Sequence, residues 1–171
     1  GHPAVAHFFE ALASSESVHA RNFMEQLRRM NVAEGPAPAD PSVQTTRKNL
    51  RHALESELSE IDTKYPGHIE RLRRENQDDA LRVAIWAWES EKQHRELISQ
   101  LEKGTGMLFG VLESRLQSRH LAYVICEVCG STYIERPQGE CPICGSDAAS
   151  YREVPPPAST MERQPASRQA R

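Results

Sequence analysis

All four cysteines of the chain fall within 19 positions, as Cys126-Glu-Val-Cys129 and, eleven residues later, Cys141-Pro-Ile-Cys144. A disulfide framework would spread its cysteines over the fold, whereas this clustering describes a local metal site. Two such knuckles place four thiolates around one tetrahedral ion. Gly130 and Gly145 follow the two pairs, where a tight turn can aim backbone N–H groups at the sulfurs, and Pro142 stiffens the second knuckle. Spacing alone does not separate iron from zinc, since both accept four tetrahedral sulfurs. With zinc, the module would be a structural ribbon.

The residues before the knuckles have helical periodicity. From Pro3 to about Met30, the positions Val5, Phe9, Leu12, Glu16, His19, Phe23 and Leu27 step by four and three and share one face. Gly35, Pro36, Pro38 and Pro41 make the following stretch a loop. Thr45 or Thr46 caps a second helix running through Leu50, Ala53, Glu57 and Glu60. Pro66, which lacks a donor N–H, kinks or interrupts it. Asp78 or Asp79 opens a third helix. Its seam is Ala80, Ala84, Ala87, Glu91, His94, Ile98 and Leu101, and Gly104 and Gly106 end it. A short connecting helix is expected over Met107 to about Ser118, short strands from Leu121, and a disordered Ser/Gln/Arg-rich tail after Val154.

The seams carry polar residues where a core would want leucine. Glu16 and His19 sit on the first, Glu91 and His94 on the third, and Glu57 and Glu60 repeat the spacing on the second. Residues three apart share a helical face, so each Glu-x-x-His aims a carboxylate and an imidazole at one point. Burying unpaired carboxylates is costly. Two metal ions would compensate six such groups, with carboxylates bridging and each histidine completing one coordination shell. One Glu-x-x-His alone is usually a solvated pair; two in register, with a Glu-x-x-Glu helix between them, are not read that way. Glu25, Glu55, Glu70, Glu75, His52 and His68 fall on solvated faces. His2, His7 and His120 receive no role, and Trp86 and Trp88 are read as packing or interface residues.

Together these residues resemble the rubrerythrin family, over about Gly1 to Val154. The resemblance rests on Glu16-Ser-Val-His19, the segment from Asn49-Leu50 through Glu57 and Glu60 to Tyr65-Pro66, Glu91-Lys-Gln-His94 and the paired knuckles. It implies a mainly α chain: a ferritin-like helical bundle over 1–104, with three long helices, a helical connector over 105–120, a small rubredoxin-like or zinc-ribbon-like β module over 121–154, and a tail over 155–171. It further implies a di-iron site in which Glu16 and Glu91 bridge, Glu57 is a terminal ligand and His19 and His94 each ligate. Glu60 becomes the extra carboxylate that exchanges with His19 as one iron moves with redox state, and Tyr65 a tyrosine near the site. Glu60 and Tyr65 are thus the catalytic candidates. Cys126, Cys129, Cys141 and Cys144 become the ligands of a mononuclear iron, with zinc as a substitute. The implied activity is reduction of hydrogen peroxide to water, fed by a reductase or a reduced electron carrier. The family's first helix, with one more glutamate ligand, has no counterpart in this sequence, so either the chain is a fragment or a partner completes the bundle, in a homodimer or higher oligomer.

Three other functions fit parts of this pattern. They are an electron carrier with a degenerate helical part, an iron-handling ferritin-like protein, and a zinc-ribbon interaction protein. The net charge of −3 gives no reason to expect nucleic acid or anionic membrane as a partner. No apolar run approaches the roughly 18 residues of a membrane span. Reduced-thiol chemistry and the lack of a visible signal sequence point to the cytoplasm.

Overall fold

Asn31 and Asn76 close two of the helices in the same way. Each lies in the left-handed region at φ 53°. The next residue's N–H then reaches back five residues, Val32 to Leu27 O at 2.9 Å and Gln77 to Leu72 O at 3.0 Å, satisfying carbonyls that a helix end leaves free. The computed structural model describes residues 3–33, 35–36, 43–104 and 122–156. The connector expected over 105–120 and the tail from 157 onward lie outside them. Helix α1 spans Pro3–Arg29, α2 Thr46–Ser59, α3 Tyr65–Arg74 and α4 Asp78–Gly104. Thr45 caps α2, its hydroxyl accepting from Lys48 N–H. Asp78 and Asp79 occupy the first turn of α4, where the helix dipole favours negative charge.

Pro66 does not break the second rod. Between α2 and α3 lies a π-helical turn, Glu60–Lys64, in which Tyr65 N–H bonds five residues back to Glu60 O. The wider turn leaves Ile61 O without a donor, because Tyr65 is already used and Pro66 has none to give. Trp88 of α4 supplies one, with Nε1 2.9 Å from Ile61 O. α2 and α3 therefore form one rod, antiparallel to its neighbour α4, and the described chain has three long helical rods.

The C-terminal module is a three-stranded antiparallel sheet in the order β2-β1-β3, with β1 Tyr123–Cys126, β2 Thr132–Tyr133 and β3 Tyr151–Val154. Its two knuckles are built alike. Cys126 N–H bonds Ser131 O and Gly130 N–H bonds Cys126 O; Cys141 N–H bonds Ser146 O and Gly145 N–H bonds Cys141 O. Gly130 and Gly145 both take positive φ, 85° and 71°, a conformation that glycine adopts without steric cost.

The module packs onto the helices, which corrects the reading of α1. One core unites Val5, Phe8, Ala11, Leu12 and Val18 of α1 with Leu50 of α2, Ile98 of α4, Tyr123 and Ile125 of β1 and Val154 of β3. Phe9, assigned to the seam, is only partly buried, while Phe8 is fully buried. α1 is covered on two sides, by helices and by the sheet, so a single stripe of period 3.6 understates its buried surface. His7, given no role from the sequence, is buried with Nε2 2.7 Å from Val154 O. The α4 seam stands as expected from Ala80 to Ile98. Among the described residues, no helix is long and apolar enough to cross a membrane.

Candidate metal centres and the contact between them

Three rods aim the expected groups at one point. Ligand atoms of Glu16 (α1), Glu57 (α2), Glu91 and His94 (α4) all lie within 4.8 Å of one another. His19 borders the same cluster, with Nδ1 3.1 Å from both Glu16 Oε2 and Glu91 Oε1. His94 Nδ1 lies 2.9 Å from Glu91 Oε2, 3.3 Å from Glu16 Oε1 and 3.9 Å from Glu57 Oε1. Both imidazoles thus turn Nδ1 towards the carboxylates. Tyr65 donates its O–H to Glu91 Oε1 at 3.4 Å. Glu60 is not gathered into this cluster. It sits at the start of the π turn, bonded to Lys64 Nζ at 3.2 Å.

The electrostatics of the cluster suit bound cations. His94 is fully buried, Glu91 nearly so, and Glu57 Oε2 is buried without a hydrogen-bond partner. Burial alone would lower the two imidazoles, but the facing carboxylates of Glu16 and Glu91 raise both to about 9. Burial also works to raise Glu91, yet the two histidines hold it well below the ordinary range. Glu57 is pushed up to about 9, by burial first and then by repulsion from Glu91. Without metal, protons on His19, His94 and Glu57 would balance the cluster. An orphaned carboxylate oxygen inside a Glu/His donor set suits a pair of oxygen- and nitrogen-ligated ions. Glu16 is the open side, its side chain 49% exposed.

The second donor set is Cys126, Cys129, Cys141 and Cys144, whose sulfurs likewise lie within 4.8 Å of one another and form no disulfide. Trp86 packs against this cluster. The knuckle 126–132 rests on the two histidines of the helical site. A Cβ built on Gly130 would stand 2.6 Å from His19 Cδ2 and closer still to Nε2, so only glycine fits. His94 Nε2 lies 3.2 Å from Thr132 Oγ1, whose hydroxyl in turn donates to Gly130 O at 3.4 Å.

The sequence carries a signal for this contact. Each Glu-x-x-His is preceded by a buried serine, giving Ser15-Glu16-x-x-His19 and Ser90-Glu91-x-x-His94. Ser15 Oγ donates to Gly130 O, and Ser90 Oγ donates to Cys129 O at 3.4 Å. The two serines thus hold consecutive carbonyls of one knuckle. Asn22 and Arg21 bond Val128 O and Glu127 O, and Gln93 Oε1 accepts from Thr132 N–H.

Comparison with known proteins decides the family. The sequence model of the rubrerythrins matches residues 1–102. The chain belongs to the rubrerythrin family. Rubrerythrin-2 of Clostridium acetobutylicum is 29% identical over 149 residues, covering 84% of this chain and 75% of that protein. Nigerythrin in its fully reduced, all-ferrous state superposes with a TM-score of 0.72 at 22% identity, over 90% of this chain and 71% of that one. Its mixed-valence state gives 0.73 at 21%. This rubrerythrin accordingly has the ferritin-like and rubredoxin-like parts of that fold, with a Glu/His cluster in one and four cysteines in the other. Family and donor sets together support iron as the metal of this chain, with a Glu/His cluster and a four-cysteine cluster as its sites.

Proposed function

We propose that the protein is a peroxidase, reducing hydrogen peroxide to water with electrons that enter through the four-cysteine centre from an external reductant. The balance is one peroxide, two electrons and two protons to two waters. The observation that carries this reading is the seating of the cysteine knuckle on both imidazoles of the helical site, at Gly130 beside His19 and Thr132 against His94. A ferritin-like protein that only stores iron has no use for such a contact, and neither does a zinc ribbon that only binds a partner.

In this reading Glu16, Glu57, Glu91, His19 and His94 hold the di-iron site. Iron held there would supply the electron pair for O–O cleavage, and iron held by the four cysteines would return electrons singly. The residues do the rest. Buried polar contacts fix His94, its Nδ1 facing the carboxylates while Nε2 is anchored on Thr132. Tyr65 is raised by burial and by Glu91, so it keeps its proton and serves as a donor at the Glu91 edge. The half-exposed side of Glu16 gives peroxide its approach. Glu60, three residues beyond Glu57 and bonded to Lys64, is in this reading the extra carboxylate that exchanges with His19.

Metal analysis with stopped-flow absorption tests the proposal. Iron at about three per chain is expected from the ligand count. Fully reduced protein mixed with peroxide should oxidise rapidly, and the visible band of the four-sulfur iron should reappear after the helical site has reacted. Glu91→Gln should abolish the rapid phase and leave the four-sulfur iron bound. Wild-type protein that carries both centres but reacts no faster than Glu91→Gln would overturn the peroxidase reading.

A further inference from the structure

We infer that Ser131 and Ser146 set the reduction potential of the four-sulfur centre, each donating its single hydroxyl hydrogen to the pair of cysteine sulfurs it lies between. The inference rests on the reading that this centre holds iron. Each serine follows the glycine of its knuckle, in Cys129-Gly130-Ser131 and Cys144-Gly145-Ser146. Ser131 Oγ lies 3.3 Å from Cys129 Sγ and 3.4 Å from Cys141 Sγ. Ser146 Oγ lies 3.1 Å from Cys144 Sγ and 3.3 Å from Cys126 Sγ. Each hydroxyl therefore bridges the second cysteine of its own knuckle and the first cysteine of the other. Tyr133 O–H adds a longer contact to Cys141, at 3.6 Å.

The direction of the effect follows from charge. Metal-bound cysteines are thiolates and can only accept, so the hydroxyls must be the donors. Reduction from ferric to ferrous adds one negative charge, which spreads onto the sulfurs. Donors there stabilise the reduced form more than the oxidised form and raise the potential. Ser131 is fully buried, whereas Ser146 is partly exposed. A hydrogen bond is stronger where the local dielectric is low, so Ser131 carries the larger share. The simpler account is that serine is merely a small residue tolerated after a left-handed glycine. In that case alanine would serve equally, and removal of the hydroxyl would leave the potential alone, or raise it through added water at the sulfurs.

The experiment is a spectroelectrochemical titration of the visible four-sulfur band in the iron-loaded full chain, for wild type, Ser131→Ala, Ser146→Ala, the double variant and Ser146→Thr. Ser131→Ala is expected to raise the ferric-to-ferrous ratio at a fixed poise at least threefold. That is a fall of about 28 mV, at about 59 mV per tenfold for a one-electron couple. Ser146→Ala should fall less, the double variant most, and Ser146→Thr, which keeps the hydroxyl, should stay near wild type. An unchanged or raised potential in Ser131→Ala, with the iron–thiolate spectrum intact, would overturn the inference and leave the iron reading standing. Failure of the wild-type cysteines to take up iron would overturn both.

Discussion

Gly130 lies where the two metal centres meet, and replacing it with alanine separates two costs. Its φ of 85° is left-handed, which charges any L side chain about 1–2 kcal/mol. Its Cβ would also collide with the His19 imidazole and stand 3.2 Å from Ser15 O. Overpacking of that kind typically costs about 1–3 kcal/mol. Gly145 is the internal control. It occupies the equivalent place in the other knuckle at φ 71°, but a Cβ there meets nothing within 4 Å. Gly145→Ala should therefore lose about 1–2 kcal/mol, and Gly130→Ala about 2–5 kcal/mol. Urea unfolding followed by tryptophan emission reads both, because Trp86 packs on the cysteine cluster and Trp88 caps the π turn. Gly130→Ala should also red-shift the native emission, as the knuckle lifts from α1 and α4 to relieve the clash. It should slow re-reduction of the helical site by the four-sulfur iron, while Gly145→Ala leaves that step near wild type. Equal destabilisation of the two variants, with equal re-reduction rates, would refute the claim that the knuckle is seated on His19.

Three further outcomes follow from the same geometry. Thr132→Val removes the acceptor from His94 Nε2, and losses of outer partners of this kind commonly lower metal affinity about 10–100-fold; competition with a chelator should show that drop at the helical site and none at the cysteines. Trp88→Phe keeps a ring but strands Ile61 O, so it should destabilise the chain by about 1–3 kcal/mol, and a variant within a few tenths of wild type in urea would show that the π turn needs no cap. The metal-free protein should lose stability as pH rises: His19 and His94, raised to about 9 from 6.5, contribute fully below pH 6.5 and stop contributing as pH passes 9. Glu57, raised to about 9 from 4.5, acts in the same direction over a wider window, so a urea midpoint that climbs between pH 6.5 and 9 would contradict the charge balance described for the cluster.

The parts of the molecule legible in the sequence are those where chemistry restricts residue choice most. Four cysteines in two knuckles have few other uses, and two Glu-x-x-His pairs on apolar seams cannot be buried without cations. The structure brings Glu16, Glu57, Glu91, His19 and His94 together and leaves Glu60 against Lys64. Less legible was anything set by contact between the two parts. Phe8, Ser15 and Val18 are buried because a sheet lies on α1, and no helical period can announce a second covered face. The π turn was equally hidden: Pro66 signals a missing donor, but only the packed rod shows that Trp88 replaces it.

The contact between the parts gives the helical site its outer shell. Without the cysteine module, His94 Nε2 would lose Thr132 and His19 Nε2 would lose the cover of Gly130. Here the module supplies Thr132 to one, and the Gly130 backbone closes over the other, whose Nε2 is buried without a partner. Ser15 and Ser90 hold the same knuckle by two consecutive carbonyls. Each helix that carries a Glu-x-x-His therefore touches the cysteine module one residue before its own glutamate. A shift of the knuckle cannot leave the histidines undisturbed, because Gly130 O is shared by Ser15 and Thr132, and Thr132 is bonded to His94. Anything that moves the cysteine centre therefore also alters the orientation and basicity of the imidazoles. That coupling runs through side-chain hydrogen bonds and one obligatory glycine, so electron delivery and metal retention at the helical site should fail together when the seating is broken.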